Sequence, residues 1–443
     1  MSSAAESRNQ ESIAAQVQAA RRAARELARL SAHQRNQILL AAADMLEARE
    51  AEILKANQQD CESLERELAA GTASAALLKR LKTSAAGVKD MAKQVRDVAK
   101  LEDPLGRLLA NTELDDGLTL QKVSCALGVV AVIFESRPDV VPQVGSLAIK
   151  TGNGLVLKGG AEAQQTNRVL VSIWHEALAA VSPSLRPAIC ALTDRADVAP
   201  ILEMDRDIDL VVPRGSTEFV NYVFEHSRIP VLGHGSGICH IYVDSAADLT
   251  MALEVIVDAK VQYPAACNSV EKVLVDQSVA QEFLPALVGR LQSAEVEVRG
   301  CSRTLNLLPH SQVIPATEQD WDTEYGDLKI TVKIVSDMSE AIEHINHYGS
   351  RHTESILTKD KAAAELFMDE VDAASVFHNA STRFADGFRY GLGAELGISN
   401  SKLHARGPVG LEGLLTYKYK LHGSGQTVTD YAQGKRTFKH RRL

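Results

Sequence analysis

The sequence is organised around the stretch Tyr263-Pro264-Ala265-Ala266-Cys267-Asn268-Ser269, which lies between a helical pattern and the strand-like run Val270 to Val275. A cysteine among small residues, on a turn that leads into a buried strand, suits a thiolate nucleophile because backbone amides can face a reacting carbonyl there. A lone cysteine is also often just a small buried hydrophobic residue. The stretch therefore predicts either a nucleophile or a core residue.

Length and composition are typical of a large soluble protein. The chain has 443 residues, 45% of them apolar and 24% charged, which predicts roughly two or three globular domains. No run of about 18 apolar residues occurs, and the segment Met1 to Gln10 is polar. We therefore expect neither a membrane span nor a secretory leader, and a cytoplasmic location. A net charge of −9 argues against nonspecific nucleic-acid binding, which needs excess Lys and Arg on one face.

The six cysteines lie far apart, without a C-x-x-C pair and without histidines at metal-ligand spacing. This distribution predicts neither a zinc site nor a disulfide framework. A basic run, Lys435 to Arg442, occurs at the C-terminus, and such runs are usually solvated. We expect it to form a disordered tail.

A helical N-terminal segment precedes an alternating series of strands and helices. Residues from about 10 to 100 show helical spacing, with a predicted cap at Ser31. Strand patterns then occupy Leu118–Val123, Val129–Phe134, Gly154–Leu157, Ile208–Val212, Ile229–Leu232 and His240–Val243, with helical patterns at Glu162–Ala179 and Ser216–Glu225. Short apolar strands separated by helices predict parallel strands with crossover helices. The predicted fold class is therefore α/β, with doubly wound sheets.

A second alternating series begins near Asp244. Its strand patterns are Val270–Val275, Val296–Arg299, Leu328–Val335, Glu354–Thr358 and Ala374–His378, and its helical patterns are Ala252–Ala259, Ala280–Leu291 and Met338–Ile345. We predict a first domain at residues 1–243, a second at 244–398, a return segment at 399–425 and a tail at 426–443.

Two strand ends carry glycines that could bind phosphate. A strand is joined to a helix by Lys158-Gly159-Gly160 and again by Pro213-Arg214-Gly215-Ser216. The first N–H groups of such a helix can donate hydrogen bonds to an anion. Ordinary turn glycines before a helix cap look the same. The dinucleotide fingerprint G-x-G-x-x-G is absent, so a standard Rossmann site is not predicted.

Several arginines are candidates for binding an anionic substrate. Arg137 follows a buried strand, where it could bind an anion or pair with Glu135 or Asp139. Arg383 lies in a glycine-rich segment, and Arg406 follows it in the chain.

Six motifs spread from about residue 120 to 420 carry a resemblance to a known family. On these motifs the chain is identified as a member of the aldehyde dehydrogenase superfamily. Within it the chain resembles the branch that reduces an acyl phosphate. The motifs are Phe134-Glu135-Ser136-Arg137-Pro138, Lys150-Thr151-Gly152-Asn153 with Leu157-Lys158-Gly159-Gly160, Pro213-Arg214-Gly215-Ser216, Pro264-Ala265-Ala266-Cys267-Asn268, His352-Thr353-Glu354-Ser355-Ile356 and Ala405-Arg406-Gly407-Pro408-Val409-Gly410.

The resemblance implies roles for individual residues. Cys267 matches the thiol nucleophile, and the backbone N–H groups of Cys267 and Asn268 are the implied oxyanion donors. Lys158 matches the lysine that contacts the adenosine ribose. The implied cofactor-binding residues are Lys158, Gly159, Gly160, Gly215, Ser216 and Glu324, and the implied substrate-binding residues are Ser136, Arg137, Arg383 and Arg406. No metal is implied.

Two departures from the family pattern carry chemical meaning. Hydrolytic members of the superfamily have a glutamate base 34 residues before the cysteine, and Gly233 occupies that position here. Without this base, water is not activated to attack an acyl-enzyme, as a reductase requires. Ser136 occupies the position of the usual oxyanion asparagine, so backbone donors have to do more.

The implied reaction is the NADPH-dependent reduction of L-glutamyl 5-phosphate to L-glutamate 5-semialdehyde, a step of proline biosynthesis. Cys267 would form a thioacyl intermediate as phosphate leaves. The absence of a carboxylate between Lys158 and Glu162 agrees with a cofactor that carries a 2′-phosphate. The alternatives are a CoA-acylating aldehyde dehydrogenase and a noncatalytic binding protein on the same scaffold.

The resemblance also implies partners. It assigns NADPH to the first domain and catalysis to the second. No amino-acid kinase pattern is expected in the chain, so a separate glutamate 5-kinase would supply the acyl phosphate, with direct handover as one route. The strands Leu118–Val123, within an element at 118–127, and Gly413–Leu421 resemble the superfamily's oligomerisation elements and imply a homodimer or tetramer.

Overall fold

The computed structural model describes residues 2–233, 235–309 and 312–443. It contains two compact units, the first formed by Met1–Leu232, Leu392–Leu396 and Val409–Leu443, and the second by Gly233–Gly391 and Gly397–Pro408. The second unit begins before the predicted boundary near Asp244, because the strand Cys239–Val243 pairs with strands of that unit.

Helices dominate the N-terminal third of the first unit. Ser31 caps the second helix as predicted, since its hydroxyl accepts a hydrogen bond from Gln34 N. The helices of the first unit are α1 (Ser2–Leu27), α2 (Ala32–Ala48), α3 (Glu50–Ala69), α4 (Ala75–Leu81), α5 (Ala85–Lys100), α6 (Val140–Lys150), α7 (Gln164–Val181), α8 (Val198–Leu202) and α9 (Thr217–His226), with α15 (Val428–Ala432) near the C-terminus.

A four-stranded parallel sheet forms the centre of the first unit. Its order is β5-β4-β3-β6, formed by β3 (Val129–Phe134), β4 (Gly154–Gly159), β5 (Ile189–Leu192) and β6 (Leu210–Arg214). All six residues of β3 are buried, because helices cover both faces of the sheet. Strand β5 was not predicted, and the predicted strand Ile229–Leu232 is reduced to a single bridge between Val211 and Val231.

A second, antiparallel sheet of the first unit contains the C-terminal residues. Its order is β16-β2-β1-β17, formed by β1 (Leu108–Asp115), β2 (Leu118–Ala126), β16 (Leu415–His422) and β17 (Arg441–Arg442). The expectation of a disordered basic tail is wrong. Strand β17 pairs with β1, and Arg441 and Arg436 form ion pairs with Glu113 and Asp115 at 2.6 and 3.3 Å. Carboxylates of β1 therefore hold the basic run in place.

The second unit is built on a seven-stranded parallel sheet with the order β10-β9-β11-β8-β7-β12-β13. Its strands are β7 (Cys239–Val243), β8 (Val270–Asp276), β9 (Glu297–Gly300), β10 (Ile314–Pro315), β11 (Lys329–Val335), β12 (Thr353–Leu357) and β13 (Ser375–His378), followed by the short hairpin β14 (Ile398–Ser399) and β15 (Gly407–Pro408). Its helices are α10 (Leu249–Val261), α11 (Gln277–Ser293), α12 (Ser302–Leu307), α13 (Met338–Tyr348) and α14 (Lys361–Glu370). The predicted α/β class with doubly wound parallel sheets is confirmed.

Strand β8 lies at the centre of this sheet, between β7 and β11. All seven of its residues are buried, including the three charged ones, Glu271, Lys272 and Asp276. One apolar cluster, formed largely by α10, α11 and the strands, covers one face, and a second cluster involving α13 and α14 covers the other. The loop that precedes β8 is therefore anchored to the most buried strand of the unit.

Candidate active site

The loop between α10 and β8 carries Cys267. Two tight turns shape it, since Ala266 N donates to Tyr263 O at 3.2 Å and Ser269 N donates to Ala266 O at 2.8 Å. The hydroxyl of Ser269 donates to Ala259 O at 3.1 Å and so ties the end of the loop to the helix where it began. The loop is thus closed at its base, and Cys267 lies within its second turn, between Ala266 and Ser269.

A buried ion pair closes the same base. Lys260 Nζ, in the last turn of α10, lies 3.2 Å from Glu271 Oε2 on β8, and both side chains are almost completely buried. Burial raises the pKa of Glu271 to about 7 and lowers the pKa of Lys260. A charge in this environment is tolerated only with its partner present. The pair therefore fixes the two ends of the nucleophile loop to each other.

The backbone at Cys267 offers two unused hydrogen-bond donors. The Cys267 thiol is half-buried and not part of a disulfide. In the described residues, neither the N–H of Cys267 nor the N–H of Asn268 has a hydrogen-bond partner. Two adjacent free amides beside a nucleophile are the donors that an oxyanion site requires.

Side chains bind this loop to the segment around Arg383. Asn268 Nδ2 donates to Ala385 O at 2.7 Å, while Asn268 Oδ1 is buried without a partner in the part of the chain that the structure describes. Arg383 Nε donates to Gln262 Oε1 at 2.9 Å, and its guanidinium lies 5.8 Å from the centre of the Tyr263 ring. These contacts leave the two terminal NH2 groups of Arg383 without a hydrogen bond to described residues.

Arg383 lies among charged groups at the nucleophile loop. Its side chain is largely buried, and burial lowers the pKa of the guanidinium. The negative charges of Cys267, as thiolate, and of Asp386 and Asp258 act in the opposite direction. Arg383 is therefore close enough to Cys267 for their charges to interact, as an anion-binding arginine must be.

Glu324, the predicted ligand of the cofactor ribose, lies in the second unit beside a glycine loop. Its Oε2 accepts a hydrogen bond from Gly237 N at 2.8 Å. One carboxylate oxygen of Glu324 therefore supports the chain just before β7.

The predicted cofactor residues of the first unit converge at one edge of its parallel sheet. Gly159 and Arg214 both pair with Phe134, so the carboxyl ends of β4, β3 and β6 lie side by side. Lys158 is buried, and its ammonium donates to Gly159 O at 2.6 Å. Ser216 caps α9 by accepting a hydrogen bond from Phe219 N at 3.3 Å. This is the edge at which parallel α/β sheets bind nucleotides.

Ser136 is held in a strained conformation by Glu162. Its φ of 39° is in the left-handed region, which residues other than glycine rarely adopt. Glu162 Oε1 accepts hydrogen bonds from Ser136 N at 2.7 Å and from its hydroxyl at 2.8 Å. Ser136 is fully buried, so its hydroxyl is used inside the protein. The Glu162 carboxylate lies against Gly160, where a Cβ atom would come within 2.1 Å of it.

Gly215 also requires the absence of a side chain. A Cβ atom there would lie 2.9 Å from the Phe219 ring and 3.0 Å from the Glu135 carboxylate. The backbone between β6 and α9 is therefore packed closely on both sides.

The other two predicted substrate arginines differ in their surroundings. Arg137 is half-buried and forms no ion pair with Glu135 or Asp139 within the described ranges, so the alternative role as a structural ion pair is not observed. Arg406 donates to Asp372 at 2.9 Å and is engaged in that ion pair. Arg137 thus has charge available for a ligand, whereas Arg406 has a protein partner.

A cavity of about 370 Å³ opens beside Gly159 and Gly160, between α7 and the edge strand β5. Arg168 and Arg186 contribute to its lining, which contains no acidic residue. Asn167 lines it as well, and its buried Oδ1 has no hydrogen-bond partner in the described part of the chain. The two arginines suit an anionic group, and the Asn167 oxygen, an acceptor, suits a hydroxyl or amino group of the same ligand.

The residues behind the nucleophile are not among those that the sequence predicts. Gln262, Gly237 and Cys239 contact Arg383, Glu324 and Cys267, respectively. Behind them, burial raises the pKa of Glu354 and lowers that of His240 to about 3, and His240 Nδ1 lies 3.0 Å from Glu354 Oε2. Polar residues inside otherwise apolar strands were the available signal, because a buried polar group needs a partner.

Other kinds of site are not found in the described residues. No group of three or more His, Cys, Asp or Glu side chains there could hold a metal ion. None of the helices in those residues is long and apolar enough to cross a membrane.

A cysteine nucleophile on a loop of this kind, together with two parallel α/β sheets, is the arrangement of one family of enzymes. The sequence matches the model of that family. The chain belongs to the aldehyde dehydrogenase family, which matches residues 2–304.

Individual relatives within that family carry a more specific name. The chain is 53% identical over 426 residues to the gamma-glutamyl phosphate reductase of a Cyanothece species, covering 96% of each chain. It is 51% identical over 431 residues to the gamma-glutamyl phosphate reductase of Natronomonas pharaonis, covering 97% of this chain and 98% of the relative. The crystal structure of gamma-glutamyl phosphate reductase from Thermotoga maritima matches with a TM-score of 0.90 and 39% identity, covering 94% of this chain and 99% of the other.

Proposed function

We propose that this chain reduces L-glutamyl 5-phosphate to L-glutamate 5-semialdehyde with release of phosphate, the activity for which these relatives are named. The observation that carries the proposal is the nucleophile loop. It combines the Cys267 thiol with two unpaired backbone donors and with Arg383 in electrostatic reach. That combination suits attack on an acyl carbon whose leaving group is an anion.

The steps assigned to the chain's own residues follow from this geometry. Cys267, as thiolate, attacks the acyl carbon, and its sulfur forms the new bond while the bond to phosphate breaks. The N–H groups of Cys267 and Asn268 donate to the oxygen that becomes negative in this step. Arg383 stabilises the departing phosphate with the NH2 groups that the protein leaves unbound. Arg137 is a second candidate for substrate charge, and Ser136 and Arg406, which are engaged internally, are expected to act through structure.

Gly233 preserves the thioester. It stands where hydrolytic relatives have a base, so no carboxylate at that position activates water. The thioester persists until it is reduced. In the reverse reaction, phosphate accepts the acyl group from Cys267.

A nicotinamide cofactor, proposed to be NADPH, supplies the hydride when bound. Gly159, Gly160, Gly215 and Ser216, together with Lys158, would hold it at the sheet edge of the first unit, with Glu324 as a further ribose ligand. The tight glycine backbones, the orphaned Asn167 Oδ1 and the acid-free cavity beside them fit a phosphate-bearing nucleotide. A glyceraldehyde-3-phosphate dehydrogenase from Methanocaldococcus jannaschii, complexed with NADP, shares the fold with a TM-score of 0.67 at 16% identity.

The remaining assignments are part of the same proposal. We infer a cytoplasmic homo-oligomer that receives its substrate from a separate glutamate 5-kinase. The first unit would bind the cofactor, the second unit would carry catalysis, and the strands β2 and β16 would contribute to association.

The reverse reaction provides the test. With glutamate 5-semialdehyde and NADP⁺, the enzyme should form NADPH only when phosphate is present, and CoA should not replace phosphate. Turnover with CoA but not phosphate would instead support a CoA-acylating enzyme. No turnover with either acceptor, under conditions where the folded protein binds NADP⁺, would contradict the proposed activity and favour a binding protein.

A further inference from the structure

The carbonyl group of Cys267 is packed against a glycine. If Gly237 carried a Cβ atom, that atom would lie 2.1 Å from Cys267 O, 2.7 Å from its carbonyl carbon and 2.8 Å from its Cα. All three contacts are to backbone, which cannot move aside without moving the nucleophile. Only glycine therefore fits at residue 237 while the loop keeps its observed shape.

A thiol completes the contact on the same carbonyl. Cys239 Sγ lies 3.3 Å from Cys267 O and is placed to donate its proton. Cys239 is completely buried, and burial raises the pKa of its thiol well above the usual range, so the proton is retained at neutral pH. The sulfur also lies 3.7 Å from His352 Nδ1.

Both residues are themselves fixed. Gly237 N donates to Glu324 Oε2 at 2.8 Å, and Ile238 N donates to Ser350 Oγ at 2.8 Å. Cys239 opens β7, which pairs with β8 and β12 on either side. The surface that receives Cys267 O is therefore a rigid part of the second unit.

The orientation of this carbonyl determines the direction of the next N–H. In a trans peptide the C=O and N–H bonds point in opposite directions. The Cys267–Asn268 peptide is trans, so with Cys267 O held against Gly237 and Cys239 the N–H of Asn268 points away from them. That N–H has no partner in the described residues.

We propose that Gly237 and Cys239 are positioning residues of the oxyanion site, because they hold the Cys267–Asn268 peptide with its N–H directed at the developing negative charge. The inference rests on the proposed function and adds two residues to it. Neither residue touches the substrate in this account. Each acts through the peptide that carries the nucleophile.

The experiment separates oxyanion stabilisation from thiol reactivity. Gly237→Ala, Cys239→Ala and Cys239→Ser are compared with wild type and with Gly289→Ala, a control glycine on α11 with open space around it. Two rates are measured: kcat in the phosphate-dependent reaction, and alkylation of Cys267 by iodoacetamide, followed by mass spectrometry of its peptide. Alkylation is a displacement at a saturated carbon and develops no oxyanion. Thermal unfolding confirms that each variant is folded.

We expect kcat to fall about 100-fold in Gly237→Ala, as when one oxyanion donor is lost. In Cys239→Ala it should fall about fivefold, the effect of one ordinary hydrogen bond. Cys239→Ser, which keeps a donor, should recover most of that loss, and Gly289→Ala should match wild type. Alkylation of Cys267 should stay within about twofold throughout.

Two outcomes would overturn the inference. If alkylation fell in parallel with kcat, the residues would act on the thiol or on the fold instead of on the oxyanion. If kcat were unchanged in Cys239→Ala, the contact with Cys267 O would have no catalytic role, and this holds even if Gly237→Ala fails to fold. Failure of the proposed function itself would appear differently, as phosphate-independent or absent turnover by the wild-type enzyme.

Discussion

The nucleophile loop of the second unit and the strand ends of the first unit are built in opposite ways. Around Cys267, protein groups fix the loop through a buried ion pair, turn hydrogen bonds and the Asn268–Ala385 contact. At the sheet edge of the first unit, the structure instead provides close-packed glycines and an open cavity with an unpaired Asn167 Oδ1. A group that reacts needs fixed geometry, whereas the nucleotide site that we propose at this edge would have to keep its binding groups available.

The largest expected effect comes from the reacting atom itself. Cys267→Ser should lower phosphate-dependent NADP⁺ reduction about 10⁴-fold or more, because a serine hydroxyl is a far weaker nucleophile without a base. Cys301→Ser, at another half-buried cysteine of the second unit, should keep wild-type activity. Equal losses in both variants, or activity retained in Cys267→Ser, would contradict the assignment.

Breaking the ion pair at the base of the loop should strongly reduce stability. Lys260→Met removes the ammonium that balances the buried Glu271 carboxylate and leaves that carboxylate only the hydrogen bond from Gly326 N among its described partners, so the free energy of unfolding should fall by about 3–5 kcal/mol. Urea unfolding measures the change. Lys359→Met, which removes the exposed Lys359–Asp248 pair, serves as the matched control and should have little effect. If the two variants were equally stable, the buried pair would not fix the loop.

Arg383 is the residue that we propose binds the anionic substrate beside the fixed loop. Arg383→Gln should lower kcat/KM for phosphate about 100-fold, because the charge-assisted hydrogen bonds to the phosphate oxygens are lost. NADP⁺ affinity, measured by fluorescence, should not change. Arg303→Gln, on an exposed helix position of the same unit, is the control. A change in NADP⁺ affinity instead of phosphate dependence would place Arg383 at the cofactor.

The buried polar residues behind the nucleophile loop include His240, Glu354 and His344, whose ring lies 5.7 Å from that of His240. We expect His344 to make the free energy of unfolding depend on pH in the acid range. Burial lowers the pKa of His344 to about 2. Below pH 6.5 the unfolded chain therefore binds a proton at His344 that the folded chain does not bind. The contribution of neutral His344 to the free energy of unfolding is complete above pH 6.5. It is lost as the pH falls from 6.5 toward the pKa that His344 has in the folded protein. His344→Phe keeps the ring contacts with Trp321 and Tyr348 but cannot titrate.

Between pH 6 and 4, the free energy of unfolding of His344→Phe should therefore vary less steeply than that of wild type. The difference in slope should be about 1.4 kcal/mol per pH unit, the value for one proton. Urea unfolding at several pH values measures it, and identical slopes would show that His344 titrates normally in the folded protein.

The smallest effect should arise in the open site of the first unit. Asn167→Ala removes an atom that has no protein partner, so the unfolding transition should hardly move. NADPH affinity should fall about fivefold if the atom binds the nucleotide. The reverse pattern, lost stability with unchanged affinity, would mean that this site is part of the core.

The sequence predicts those parts of the molecule that depend on local patterns. Alternating apolar strands and helices predict the α/β class, and the motif around Cys267 predicts a loop between α10 and β8. The helix Val140–Lys150 and the strand Ile189–Leu192 were missed, since short apolar segments show no clear period. The C-terminal strand was missed because its partner β1 is distant in the chain.

The supporting residues of the site are harder to predict. Lys260 and Glu271 are ordinary charged residues in sequence, and their pairing exists only because the loop folds back on itself. The need for glycine at residue 237 likewise comes from a carbonyl group thirty positions later in the chain. Local patterns indicate the reacting group, whereas tertiary contacts determine what orients it.

One measurement tests the central claim, that Cys267 forms a thioester which water does not hydrolyse. Enzyme is mixed with glutamate 5-semialdehyde and NADP⁺ without phosphate, while NADPH is followed by absorbance and the Cys267 peptide by mass spectrometry. We predict a single burst of about one NADPH per active site, a glutamyl group on Cys267, and continuous turnover once phosphate is added. Steady NADPH formation without phosphate, or a burst that leaves Cys267 unmodified, would contradict the account.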